Sequence, residues 1–562
     1  MKKVEVRALG QLLALTAGLA TLMVLPTSAY DPINAPKLLV VAVGGFMALG
    51  ALIVHRRVLI KKSYRPVLIF GVAFILDLII ILIVSGTNLT QEFFGTFGRA
   101  TGFVAYASLA FLLIVAAIVG HQETLNRLSL ALGLTGGASI VYGLMQSVDA
   151  DPVKWVSSYN PVIGFLGNPN FQSAFVGFNG IMVFALLLNK NYNLFVRLLL
   201  LVDLLLSAYV IGATDSQQGF LVLVGGVAIV GFIWIRTSKV KFLTIPSLIG
   251  GLIGAIFVTL GSFNSGPLAG FLYKASVTYR GDYWQAGWKM TVEHPFFGVG
   301  LDSYGDWYRR ARSVEATLRR GPDVVSNAAH NVLLDLSSNG GFPLLFIYLF
   351  MLVLVLVSSY KVIRRTHVFN PLFTGLFAVW VAYQAQSIIS LNQLGLAVWG
   401  WIISGLLIGY EINTREVKSQ PEVKILSKKG RNTSSTAFQN VSADLLVGMF
   451  AGGLIGLGVG LPPLLASSQF LSILKSQDPK LVQQAAYVSP LDANYMYRVA
   501  DILINNKMIA EATAVSNDSI KHFSDDYAIW AIRSKLVGLP QAEIDKAKAQ
   551  MKRLDPHNPN LK

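Results

Sequence analysis

The chain has 562 residues, of which 53% are hydrophobic and only 14% charged, with a mean hydropathy of +0.56. Soluble globular chains carry about 25% charged residues, so this composition excludes an ordinary soluble enzyme and a disordered protein. The formal charge of +16 then bears on membrane orientation rather than on nucleic acid, and the absence of cysteine excludes disulfides, Cys-ligated zinc, iron–sulfur clusters and thiol catalysis.

A helix needs about 20 mostly apolar residues to cross a bilayer. Thirteen stretches qualify: 8–28, 38–54, 66–85, 100–120, 127–147, 172–189, 195–212, 218–235, 242–262, 340–360, 371–390, 394–412 and 444–465. The first follows Lys2 and Lys3 and ends near Ala29, so a signal peptide is the alternative to an uncleaved helix there. The loops alternate in charge. One set holds Lys2, Lys3, Arg7, Arg56, Arg57, Lys61, Lys62, Arg65, Arg127, Lys190, Arg197, Arg236, Lys239, Lys241, Lys361, Arg364 and Arg365. The opposite short loops hold only Lys37, Arg99 and Lys154. By the positive-inside rule the N-terminus is cytoplasmic, which places 263–329 and 466–562 outside the plasma (inner) membrane.

The expected architecture is therefore all-α and polytopic, with about 12–13 spans. Residues 1–412 form the membrane domain, with 263–329 as a large external loop. Residues 413–443, polar and basic with Pro421, read as a cytoplasmic linker, and 444–465 as an additional span. Residues 466–562 are soluble in composition, and their Ala-rich amphipathic stretches resemble tetratricopeptide-type helical hairpins.

Polar residues beside membrane spans are candidate sites because they are costly there. Arg99 ends the run Phe94-Gly95 to Gly98-Arg99. Gly167-Asn168-Pro169-Asn170 demands a tight turn and offers amide donors. In the large loop, Arg280, Trp284 and Trp288 recur at helical spacing, a cation beside an aromatic stripe. Such a face suits a phosphate with sugar rings stacked nearby; an amphipathic helix lying at the headgroups is the plainer alternative. His330-Asn331 precedes Asp335 and Gly340-Gly341, and a histidine at the mouth of a span can accept a proton near neutral pH. Asp77 and Asp203 are the deep charges of the spans, and Asp203 has no evident partner.

The ordered set Arg280-x3-Trp284, His294-Pro295-x2-Gly298-x-Gly300, His330-Asn331 and Gly340-Gly341-x-Pro343 resembles the O-antigen ligase/polymerase superfamily. Upstream, Phe94 to Gly102, Gly167 to Asn170 and Thr214 to Gly219 look like motifs of its ligase-like members, as does Ser390-Leu391-Asn392-Gln393. The resemblance covers roughly residues 10–412. It implies a GT-C-like helical bundle and a membrane glycosyltransferase. Such an enzyme passes a glycan from a polyprenyl (undecaprenyl) diphosphate to an acceptor hydroxyl on a lipid, cell-wall polymer or protein, inverting the anomeric carbon.

Arginine offers a permanent charge and a fork of donors matched to the leaving diphosphate. Arg280 and then Arg99 are the expected phosphate contacts, with Trp284 and Asn331 near the substrate. His330 is the expected base, and Asn168, Asn170 and Gln217 shape the cavity. Arg309, Arg310, Arg312, Arg319 and Arg320 form a basic run, of which one or two are expected to contact phosphate and most to be solvated or at lipid headgroups. In the large external loop Asp282, Asp302 and Asp306 are too dispersed for an Asp-x-Asp pair, and no phosphate-cradling nucleotide motif is present, so neither metal nor nucleotide cofactor is expected. Within the same chemistry a polysaccharide polymerase is the alternative. In other classes the alternatives are a polysaccharide transporter or flippase, which predicts internal repeats around midplane charges, and a non-catalytic scaffold.

Overall fold

A computed structural model describes residues 1–155, 160–419 and 440–561, so most of the expected linker, Pro421 included, lies outside the described residues. Every regular element among them is helical. Ten helices are long and apolar enough to cross a membrane: Asn34–Val54, Lys62–Val84, Gln122–Ser147, Pro169–Leu187, Leu194–Ala213, Gln217–Thr237, Lys241–Ser262, Val332–Arg365, Leu394–Arg415 and Ala443–Ser476. Three further helices coincide with expected spans: Lys3–Leu22, Phe103–Ile118 and Pro371–Ser387. The 16 residues of Phe103–Ile118 extend only about 24 Å at a helical rise, less than a hydrocarbon core. That helix need not meet lipid, because nearly every residue in it is buried among its neighbours.

The first helix ends at Leu22, short of the expected 28. Lys37 supplies the physical reason. Its buried ammonium donates to the carbonyls of Ala20, Thr21 and Met23, which a helix end leaves without partners. Asp203 also has partners: it accepts from the Asn179 amide at 2.7 Å and the Ser207 hydroxyl at 3.4 Å.

The loops collect at two ends as their alternation in charge predicts. At one end Arg7 pairs with Glu123, Glu5 accepts from Ser442, and Arg365 pairs with Glu411. At the other, Thr87 bonds Val299, Asn34 bonds Gly98, Asn88 bonds His522 and Ser216 bonds Asn170. This second end, here called the loop end, carries the 263–331 segment and the C-terminal helices.

Helix Ala443–Ser476 is 34 residues long and continues from the bundle into the tail, where Ala466 and Phe470 join an apolar core with Val482, Tyr495, Val499 and Val515. Its path is set by Gly448, Gly452, Gly456 and Gly460, one small residue every four. A Cβ at Gly452 would lie 2.0 Å from the Phe46 carbonyl, and one at Gly456 2.6 Å from that of Ala42. The helix thus lies backbone-to-backbone on Asn34–Val54, the small-xxx-small contact of membrane helices. In the tail, Ala493–Asn505 packs on Ile509–His522, and Tyr527–Arg533 on Gln541–Leu554.

Gly452→Leu should prise these two helices apart at a cost of about 1–3 kcal/mol, read as a lower unfolding temperature in detergent. Gly458→Leu, where a Cβ meets nothing within 4 Å, should leave that temperature unchanged. Equal effects would show that the contact does not hold the helix.

Candidate functional site

The site is assembled on a joint between two glycine motifs. Helix Val332–Arg365 is broken at Gly341, whose φ is +72°. The Pro295–Gly300 turn enters that break. Val299 N donates to Ser338 O at 2.8 Å, Gly300 N to Asn339 O at 3.2 Å, and Phe342 N to Pro295 O at 2.8 Å. A Cβ at Gly298 would lie 2.3 Å from Asn339 C, and one at Gly341 2.6 Å from Phe296 C. Both glycines are therefore required by close approach as well as by positive φ. Helix Ala275–Glu293 packs across this joint, with Tyr283, Ala286 and Met290 on Tyr304, Tyr308 and Ala329.

Arg99 lies beneath, only 5% exposed. Its Nε is 3.1 Å from Asp302 Oδ1 and its Nη2 3.8 Å from Asp335 Oδ2, while Nη1 donates to Asn327 O at 2.8 Å. Asp302 also accepts from Thr96 N and Thr101 N, and Asp335 from Ala329 N at 2.7 Å. One cation and two carboxylates thus tie residues 94–102 to the middle of the large loop and to the start of the helix that follows it, so Arg99 stands already neutralised.

Arg280 is different. It is half-buried, and among the described residues no hydrogen bond or ion pair reaches its guanidinium. Burial holds its pKa below the usual value. Beside it, His330 sits in the left-handed region at φ +52°, with its ring stacked on Tyr283 at 5.4 Å. Burial, then the charges of Arg280, Arg99 and Arg320, pushes the imidazole down to about 4. It is therefore neutral near pH 7, with a lone pair to offer. Trp284 is half-buried, and its indole N–H is buried without a partner. Trp288 is 53% exposed and meets Phe342 edge-on.

Asn331 caps helix Val332–Arg365, accepting from Leu333 N and Leu334 N. Asn168 caps Pro169–Leu187, Asn170 accepts from Ser216 Oγ at 2.8 Å, and Gln217 donates to Phe271 O. These last three form a separate group at the loop end. No hydrogen bond joins them to Arg280 or His330 among the described residues.

The basic run does not behave as expected. Rather than standing mostly solvated, Arg309 and Arg312 both reach Asp555 in the tail, Arg310 pairs with Asp525, and Arg319 with Asp282. Arg320 donates to the Tyr283 hydroxyl and lies over the Tyr279 ring. A cavity of about 370 Å³ opens where the tail meets the membrane helices, lined by Phe94, Phe97, Asp306, Asn327, Tyr495 and Asp526 among others. Burial and the charge of Asp526 push the Asp306 carboxyl up to about 7.

Sequence reasoning missed Asp302, Asp335 and Asp555. Asp335 carried a faint signal, sharing a helix face with Asn331; Asp302 and Asp555 meet their partners only through the fold.

Residues 202–349 match the family model described as O-Antigen ligase, and no curated protein matches the chain. The matched stretch holds Gln217, Arg280, Trp284, His330 and Asn331, while Arg99, Asn168 and Asn170 precede it. Over that stretch the chain is similar to O-antigen ligases, and its long apolar helices fit a multi-pass membrane protein.

Proposed function

We propose that the chain transfers a glycan from a polyprenyl-diphosphate lipid to an acceptor hydroxyl. The observation that carries this reading is the pairing of an uncompensated, half-buried cation, Arg280, with a neutral imidazole, His330. The acceptor oxygen attacks the anomeric carbon from the face opposite the diphosphate. The bond to the diphosphate oxygen breaks, and its electron pair leaves with the diphosphate. The acceptor proton passes to His330, and the anomeric centre inverts. Arg280 meets the charge that develops on the leaving group, a partly desolvated setting in which a fixed cation is most effective. The Trp284 indole N–H has no protein partner and is suited to a sugar or phosphate oxygen. Arg99 holds the loops in place rather than touching phosphate. No step uses a metal or a nucleotide.

The cavity under the tail favours a ligase over a polymerase. Its mixture of aromatic faces, carboxylates and amides suits a hydroxyl-rich acceptor distinct from the donor. The charge alternation places the loop end on the side away from the cytoplasm.

Three results are expected. With a purified polyprenyl-diphosphate glycan, Arg280→Ala and His330→Ala should each reduce transfer at least ~100-fold, and normal rates in both would remove the site. The acid limb should also move. His330 works as a base only when neutral, so activity falls as pH drops through its pKa, about 4 in the free enzyme. A bound diphosphate offsets the neighbouring arginines, so the limb of kcat should lie at least about one pH unit above that of kcat/KM. Identical limbs would contradict the assignment. For orientation, the absence of native cysteine makes Leu318→Cys and Val537→Cys clean single labels. Both positions are well exposed, and an impermeant maleimide should modify both in intact cells. Protection of both would reverse the proposed topology.

A further inference from the structure

The tail reaches the reaction centre through one buried carboxylate. Asp555 is fully buried at the end of helix Gln541–Leu554. Both its oxygens accept from Arg312 Nη2 at 2.8 Å, and Oδ2 accepts from Arg309 Nη1 at 3.0 Å. The same two guanidinium groups continue into the large loop. Arg309 donates to Pro322 O at 2.7 Å, and Arg312 donates to Pro322 O at 2.9 Å and Val324 O at 3.1 Å. Pro322 and Val324 begin the irregular segment that ends at His330. The far end of that segment is held through Asn327 O on Arg99 and Ala329 N on Asp335. His330 follows directly on the second anchor, at a positive φ, a conformation that persists only where the surroundings fix it.

We infer that Asp555 is a positioning residue for the transfer reaction, fixing through Arg309 and Arg312 the loop that presents His330. The inference rests on the proposed role of His330. Two buried guanidinium groups without their carboxylate are costly. In Asp555→Asn they would turn toward water and release the carbonyls of Pro322 and Val324. His330 would then leave both its productive place and its three arginine neighbours.

The test uses the full-length protein in nanodiscs. Asp555→Asn should lower kcat at least 10-fold while changing the affinity for the polyprenyl diphosphate, read by direct binding, less than 3-fold. Its acid limb of kcat/KM should rise from about 4 toward the ordinary histidine value of about 6.5. Loss of a merely structural support would lower the amount of active enzyme without moving that limb. Asp555→Glu, which keeps the charge, should recover most of the rate. If Asp555→Asn does not fold, Arg312→Lys carries the same test, because it retains a charge opposite Asp555 but its single nitrogen lacks the width of the guanidinium fork, which reaches Val324 O from Nη1 and Pro322 O and Asp555 from Nη2. An unchanged limb and kcat in whichever variant folds would overturn the inference. Normal transfer by His330→Ala would instead overturn the proposed reaction, so the two failures are distinguishable.

Discussion

The loop end of this molecule depends on a single buried cation shared by two carboxylates. Arg99, Asp302 and Asp335 come from three distant stretches of chain, and their side chains are almost wholly removed from water. Such a cluster gives little net stability over a well-packed apolar one, because desolvation offsets most of the attraction. Removing one member is another matter, since it leaves a buried charge uncompensated. The cluster therefore acts as a register device: segments 94–102, 302–304 and 327–335 meet in one arrangement or lose their partners. The turn of Pro295–Gly300 into the Gly341 break and the placement of helix Ala275–Glu293 both follow from that arrangement.

Around this fixed point the other arginines divide by partner. Those of the basic run are held by carboxylates or by tyrosine, whereas Arg280 stands half-buried with no such partner among the described residues. A protein can keep a cation in that state only at a cost, and the cost is recovered when an anion arrives. This asymmetry marks Arg280 more sharply than its position on an aromatic helix face does. It also separates Arg280 from Arg99, which the sequence reading placed second as a phosphate contact.

Much of the fold is legible in the sequence because its driving terms are local. Hydropathy over about 20 residues finds the long helices without knowledge of their neighbours, and the alternation of Lys and Arg sorts the loops into two ends. Helix limits were less legible: the first helix stops where Lys37, in the next helix, takes its carbonyls. The glycine ladder from Gly448 to Gly460 was present but silent, since its meaning depends on which backbone lies opposite. At the site, motif order singled out Arg280 and His330 as candidates. The roles of Arg309, Arg312 and Asp555 were not legible, because nothing local in a basic run distinguishes a solvated arginine from one meeting a carboxylate more than 240 residues away.

The depressed basicity of His330 has a consequence for the proposed reaction. Before the donor binds, burial and then the charges of three arginines make the imidazole a poor proton acceptor. Water reaching the site is then weakly activated, which limits wasteful hydrolysis. A bound diphosphate brings opposing charge beside Arg280, and the same imidazole becomes more basic at the moment an acceptor hydroxyl can be used. The base is thereby coupled to the donor electrostatically, with no conformational change required. The arrangement works only while His330 remains close to those arginines. That proximity is what the anchors along residues 322–329, the segment leading into His330, maintain, one from Arg99 and Asp335 in the membrane bundle and the other from Asp555 in the tail.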